Sequence, residues 1–218
     1  MERHTTLDHP LFARLIGPPP DRGLLRATAL QGYQLTKAFL GYVEALFFHC
    51  PLPKHKRRLL VNLFEEETGH FSRTDNHLRL MQRFLSGLGI GDAERDAAAP
   101  YPETLELIEY RRALVADPAT YHLGAAAVLI ASEGQNLETL GGEARDGAMA
   151  RAFGLSEDDL CFFRVHQEED VGHVHQGLDL VVELCTDEER RAGAVAAVER
   201  TCALFRGMYD GIERQHPA

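Results

Sequence analysis

The chain has 218 residues, 44% hydrophobic and 26% charged, the proportions of a soluble globular protein long enough to bury a substantial core. Its 23 Lys and Arg against 33 Asp and Glu leave a net charge of −10, which argues against phosphate-backbone binding as its main task. Cys50, Cys161, Cys185 and Cys202 are scattered without a Cys-x-x-Cys pair, so neither a zinc knuckle nor a disulfide framework is indicated.

Pro18-Pro19-Pro20 closes a short N-terminal segment, and an apolar-periodic run from about Leu24 to Phe48 reads as a helix that Pro51 and Pro53 end. A second long helix is expected from about Lys54 to Leu88. Residues Gly91 to Tyr101 read as a loop. Helical spacing resumes from Thr104 to Val115, and Asp117-Pro118 starts a run lasting to about Leu140, with Gly141-Gly142 at its end. Ser156 with Asp159 resembles a capping box opening the next helix, and Thr186 with Glu189 opens the last. Alternating strand patterns are absent. The expectation is one all-α domain, 1–218, of about seven helices packed as a bundle. The longest strongly apolar stretches, such as Gly124 to Ala131, are too short to span a bilayer. Met1-Glu2-Arg3-His4 lacks the apolar core of a secretory signal, so a cytoplasmic protein is expected, with no membrane or nucleic-acid partner.

The chemistry concentrates in His166-x3-Asp170-x2-His173. On a helix, offsets of four and seven return to nearly one azimuth, so two imidazoles and a carboxylate point from one stripe, a set suited to iron, manganese or zinc. Glu133 lies in an otherwise apolar helix, where a carboxylate is costly to bury unless paired or metal-bound. On the 54–88 run, taken as continuous, Glu66, His70 and His77 share a face. Glu67 falls a quarter-turn away, although Glu67-Thr-Gly-His70 has the Glu-x2-His spacing of di-iron bundles. At least one of Glu65, Glu66 and Glu67 is read as solvated surface. Glu44 is a further acidic residue on an apolar-rich helix. Two carboxylate-bridged metals need about six protein ligands, which these helices can supply. Tyr33, Phe39 and Phe162 are candidates for an apolar lining.

Together these motifs resemble the heme-oxygenase-like di-iron oxidases, relatives of the TenA thiaminases and of the enzyme finishing pyrroloquinoline quinone synthesis. His9-Pro10-Leu11-Phe12 is similar to the family's opening, Asn62-Leu63-Phe64-Glu65-Glu66-Glu67-Thr68-Gly69 to its Asn-Leu-x-x-Glu helix, and His166-x3-Asp170-x2-His173 to its closing motif. The resemblance implies a heme-oxygenase-like fold and metal ligation by Glu66, His77, Glu133, His166, Asp170 and His173, with Glu44 as a further ligand in some members. Thr68-Gly69-His70 departs from the consecutive glycines usual there, which leaves Glu66, Glu67 and His70 as alternatives.

The resemblance also implies an O2-dependent oxidoreductase with two Fe ions, or Mn, acting on an amino-acid-, amine- or fatty-acid-like substrate, with a homodimer as an assembly to expect. One branch makes 4-aminobenzoate from a protein tyrosine beside a lysine, but the only lysines are Lys37, Lys54 and Lys56, all in the N-terminal third. The alternatives are a metal-independent enzyme of the TenA or quinone-synthesis type, and a non-catalytic interaction protein on the same fold.

Overall fold

The computed structural model describes residues 5–140 and 142–217. Met1 to His4 and Gly141 lie outside it, and with them the reading of the N-terminus and part of the expected Gly141-Gly142 helix end. Among the described residues the chain forms ten α-helices and no strand, the all-α class expected, with more helices than the expected seven.

Helix α1 spans Pro10–Ile16, and the His9 Nδ1 accepts from the Leu11 N–H at 3.2 Å to cap it. Helix α2, Arg22–His49, starts where Asp21 Oδ1 accepts the Leu24 N–H at 2.9 Å. The expected continuous helix from Lys54 to Leu88 is two helices, α3 at Pro53–Thr68 and α4 at His77–Gly87. The break is at Gly69, which adopts a left-handed φ of 61°. A Cβ there would lie 2.4 Å from the Asp75 carbonyl oxygen, so only glycine fits. The Glu65 carboxylate then closes the connection, accepting the N–H groups of Phe71 at 2.5 Å and Ser72 at 3.1 Å. Asn76 caps α4 through the Arg79 N–H.

The segment expected to be a loop contains a short helix, α5, at Asp92–Ala97, followed by α6 at Pro102–Ala116. Helix α7, Tyr121–Ala125, runs into a π-helical stretch, Ala126–Ser132, where the Ser132 hydroxyl donates to the Ala127 carbonyl five residues back. Helix α8, Arg145–Phe153, has no counterpart in the expected seven. The Ser156–Asp159 box is formed, with the Asp159 N–H bonded to Ser156 Oγ and the Ser156 N–H to Asp159 Oδ2, one turn before α9 at Cys161–Leu184. Helix α10, Glu188–Gln215, is capped by Asp187 accepting from Arg190, not by Thr186.

Two apolar clusters hold the bundle: one joins α1, the first half of α2, α4, α8 and the end of α10, the other the second half of α2, the π stretch and α9. Gly177 on α9 lets that helix press against the π stretch: a Cβ there would meet Leu129 Cβ at 2.7 Å. That contact brings the stripe on α9 toward the residue that follows the stretch, Glu133. Cys161 is a buried core residue packed with Leu80 and Val165. No single described helix is long and apolar enough to cross a membrane.

Candidate metal centre

Four segments deliver acidic and imidazole side chains to the interior: the end of α3, the start of α4, the turn after the π stretch, and the middle of α9. The side chains assemble in two groups, each with ligand atoms within 4.8 Å of one another. Glu66, His77 and His166 form one, and Glu133, Asp170 and His173 the other. These are the six residues to which the family resemblance assigns ligation, Glu66 there standing open against Glu67 and His70. Glu133, 2% exposed, is fully interior.

His77 opens α4, so the helix break changes how it reaches Glu66 but not that it does: its Nδ1 lies 3.0 Å from Glu66 Oε2. The approach is off the hydrogen-bond direction, and both His77 ring nitrogens are buried without a hydrogen-bond partner. The His166 ring packs 4.6 Å from that of His77. His166 Nδ1 is 2.7 Å from the Phe162 carbonyl oxygen; an N–H donated there leaves Nε2 as the basic nitrogen. In the second group His173 Nδ1 lies 3.3 Å from Asp170 Oδ1, and Asn136 Nδ2 donates to Asp170 Oδ2 at 2.8 Å. Asn62 donates to Glu133 Oε1 at 3.3 Å, and Glu133 Oε2 is buried with no partner.

The electrostatics are those of crowded charges withheld from water. Burial pushes Glu133 well above the usual carboxylate range, Asp170 and Glu66 add to this, and His173 opposes it. Burial works against charge on His173 too, but its bond to Asp170 and the Glu133 and Glu66 carboxylates raise it to about 9. Burial opposes charge on Glu66 and His77 alike, yet each stabilises the other: Glu66 is lowered and His77 raised. Burial and the His77 cation push His166 down. The two groups also act on one another electrostatically, Glu66 on Glu133 and His173 on Glu66.

Not every candidate joins. Glu44 is exposed on α2, Glu67 is exposed at the end of α3, and His70 lies exposed in the loop after Gly69, so His70 does not share a face with Glu66 and His77. Glu65 and Glu169 were not singled out, yet with His77 they make a third, overlapping group. Glu169 Oε2 is buried without a hydrogen-bond partner, 3.9 Å from His77 Nε2. The signal for Glu169 was available: it stands three residues after His166 on the same helical stripe. Glu65 gave none, since a run of three glutamates does not reveal which of them turn inward.

Unpaired buried nitrogen and oxygen atoms facing one another, in a set of carboxylates and imidazoles, fit iron or manganese. The centre opens on a cavity of about 160 Å³ whose wall includes Glu66, Glu133, His166 and Asp170. The remaining wall is mainly apolar, with Phe39 and Phe162 among it as expected; Tyr33 instead packs in the core, its hydroxyl accepting from Gln82 at 3.2 Å.

Residues 26–206 match the model of a family described as iron-containing redox enzyme. A 4-aminobenzoate synthase of Nitrosomonas europaea is 28% identical over 97% of this chain and 87% of its own length. The protein of that name from Chlamydia muridarum is 27% identical over 91% and 81%. Among solved structures, a TenA homologue from Pseudomonas syringae superposes with a TM-score of 0.80 at 15% identity, covering 96% of this chain and 86% of that one. A heme-oxygenase-like protein from Shewanella denitrificans gives 0.77 at 17%, covering 96% and 85%. These two likenesses concern the fold alone.

Proposed function

The chain belongs to the iron-containing redox enzymes of heme-oxygenase-like fold, and from that premise we propose that it is a di-iron oxidase using O2 to oxidise a small organic substrate. One observation carries this reading: Glu66/His77/His166 and Glu133/Asp170/His173 together offer three carboxylates and three imidazoles beside one largely apolar cavity. Two ferrous ions bound there would supply the open coordination positions and the electrons with which O2 is reduced.

The protein's own contribution is positioning and exclusion. The Phe162 carbonyl fixes the His166 tautomer, Asn136 orients Asp170, and Asn62 orients Glu133. Phe162 and Phe163 wall the cavity and keep water from a substrate held against the centre. A metal-independent hydrolase with a cysteine nucleophile finds no cysteine among the residues lining the cavity. The test is oxygen uptake by ferrous-loaded protein with a panel of small substrates. Substrate-dependent uptake that His166→Ala abolishes supports the reading; uptake unchanged in that variant contradicts it.

A second reading has a specific observation behind it. Relatives bear the name 4-aminobenzoate synthase, and Tyr209 is a tyrosine lining this cavity, where burial raises its hydroxyl to about 12. No lysine lines it: Lys37 lies over Tyr33, and Lys54 and Lys56 bond to Glu183 and the Phe48 carbonyl. An external substrate is therefore the stronger reading. Intact-mass analysis after exposure to iron and O2 separates the two, since consumption of Tyr209 marks the second.

A further inference from the structure

Arg111 on α6 is among the largest fully buried side chains, 1% exposed, and it lines the cavity. Its Nε donates to the Leu107 carbonyl at 3.3 Å and its Nη1 to Ser132 Oγ at 3.1 Å, while Nη2 has no partner. The rings of Tyr42 and Phe205 lie 5.0 and 5.5 Å from its guanidinium carbon. No carboxylate is among these partners. A buried cation without an anion is costly, and neither aromatic faces nor neutral oxygens replace one. Arg145 on α8 also lines the cavity, half-buried: its Nη2 donates to the Gln135 carbonyl at 2.9 Å, its Nε is unpartnered, and the Glu138 and Asp170 carboxylates act on it.

We infer that the cavity takes an apolar carboxylic acid whose carboxylate is held by the Arg111 guanidinium. The guanidinium fork matches a carboxylate in shape as well as charge. Ser132, which holds Nη1, directly precedes Glu133, so an acid anchored at Arg111 lies alongside the centre. The volume is close to the ~150 Å³ of an engineered cavity that holds benzene, which limits the apolar part to a single ring or a short chain. Arg145 adds a second cation to the same wall. The inference rests on the reading of this cavity as the substrate chamber.

The test is calorimetric titration of the full chain, iron-loaded and metal-free, with 3-phenylpropanoate, 3-phenylpropanol and 3-phenylpropylamine. The acid is expected to bind at least roughly tenfold more tightly than the alcohol or the amine, in both forms of the protein. Arg111→Met is expected to weaken the acid by roughly 10- to 100-fold while leaving the alcohol's affinity and the iron content unchanged. Equal affinities of acid and alcohol, an Arg111→Met variant that binds the acid normally, or no binding of any probe overturns the inference. Should Arg111→Met not fold, the ranking of the three probes on the native protein decides alone. Acid preference in a protein that binds no iron contradicts the oxidase reading and leaves this one; two irons without acid preference do the reverse.

Discussion

Asn136 Nδ2 donates to Asp170 Oδ2 at 2.8 Å, so the turn after the π stretch holds the central carboxylate of the α9 stripe. The bond joins the segment that presents Glu133 to the helix that presents its two partners, and it leaves Asp170 Oδ1 facing His173.

Removing that support tests positioning without deleting a ligand. Asn136→Ala is expected to weaken metal binding by roughly 10- to 100-fold, read by competition with a chelator. Its circular dichroism should match that of the native protein. Native affinity in the variant would show that Asp170 needs no such partner.

The two ligand groups predict separable losses. His166→Ala removes an imidazole from the first group and His173→Ala one from the second, so each is expected to halve the iron content measured by elemental analysis. The double variant should retain close to none. Full loading in either single variant removes that histidine from the ligand set.

Gly177 sets two effects against each other. Alanine is the better helix former by about 1 kcal/mol. Its Cβ, however, would stand 2.7 Å from Leu129 Cβ, and overpacking of this kind costs about 1–3 kcal/mol. The clash wins: Gly177→Ala is expected to lower the Tm by several degrees in a calorimetric scan. A raised Tm would mean that α9 withdraws from the π stretch without penalty.

Asp21 gives a dependence on pH. The Leu24 N–H that it accepts holds its carboxyl below the ordinary value, against a smaller effect of burial and with help from Arg14. A pKa lowered on folding stabilises the native state above the unfolded value, and the contribution fades as pH falls through the folded one. Asp21→Ala is therefore expected to cost about 1 kcal/mol at neutral pH. The Tm difference from native protein should close below about pH 4. A difference independent of pH would place the effect elsewhere.

Period and residue type made the chemistry of α9 readable, because His166, Asp170 and His173 fall on one stripe whatever packs against them. Glu133 was legible for the same reason, as a lone acid in an apolar run. The α3–α4 region was less legible because helical periodicity continues across Gly69 although the backbone does not. The break moves His70 out to solvent and turns His77 inward from a new helix start. Glu65 escaped notice because its role, accepting the loop N–H groups of Phe71 and Ser72, exists only once that break has formed. Glu44 on α2 shows the converse: an acid on an apolar helix that emerges at the surface. Arg111 carries no sequence signal, since its isolation from any anion is a property of the packed bundle.

Anaerobic titration with ferrous iron, followed by exposure to O2 under optical observation, bears most directly on the central idea that two ions share this interior. The expected result is saturation at about two irons per chain, with a visible absorption transient that forms only with O2 and is lost in the His166→Ala, His173→Ala double variant. Saturation at one iron or none, or a transient that survives the double variant, would contradict it.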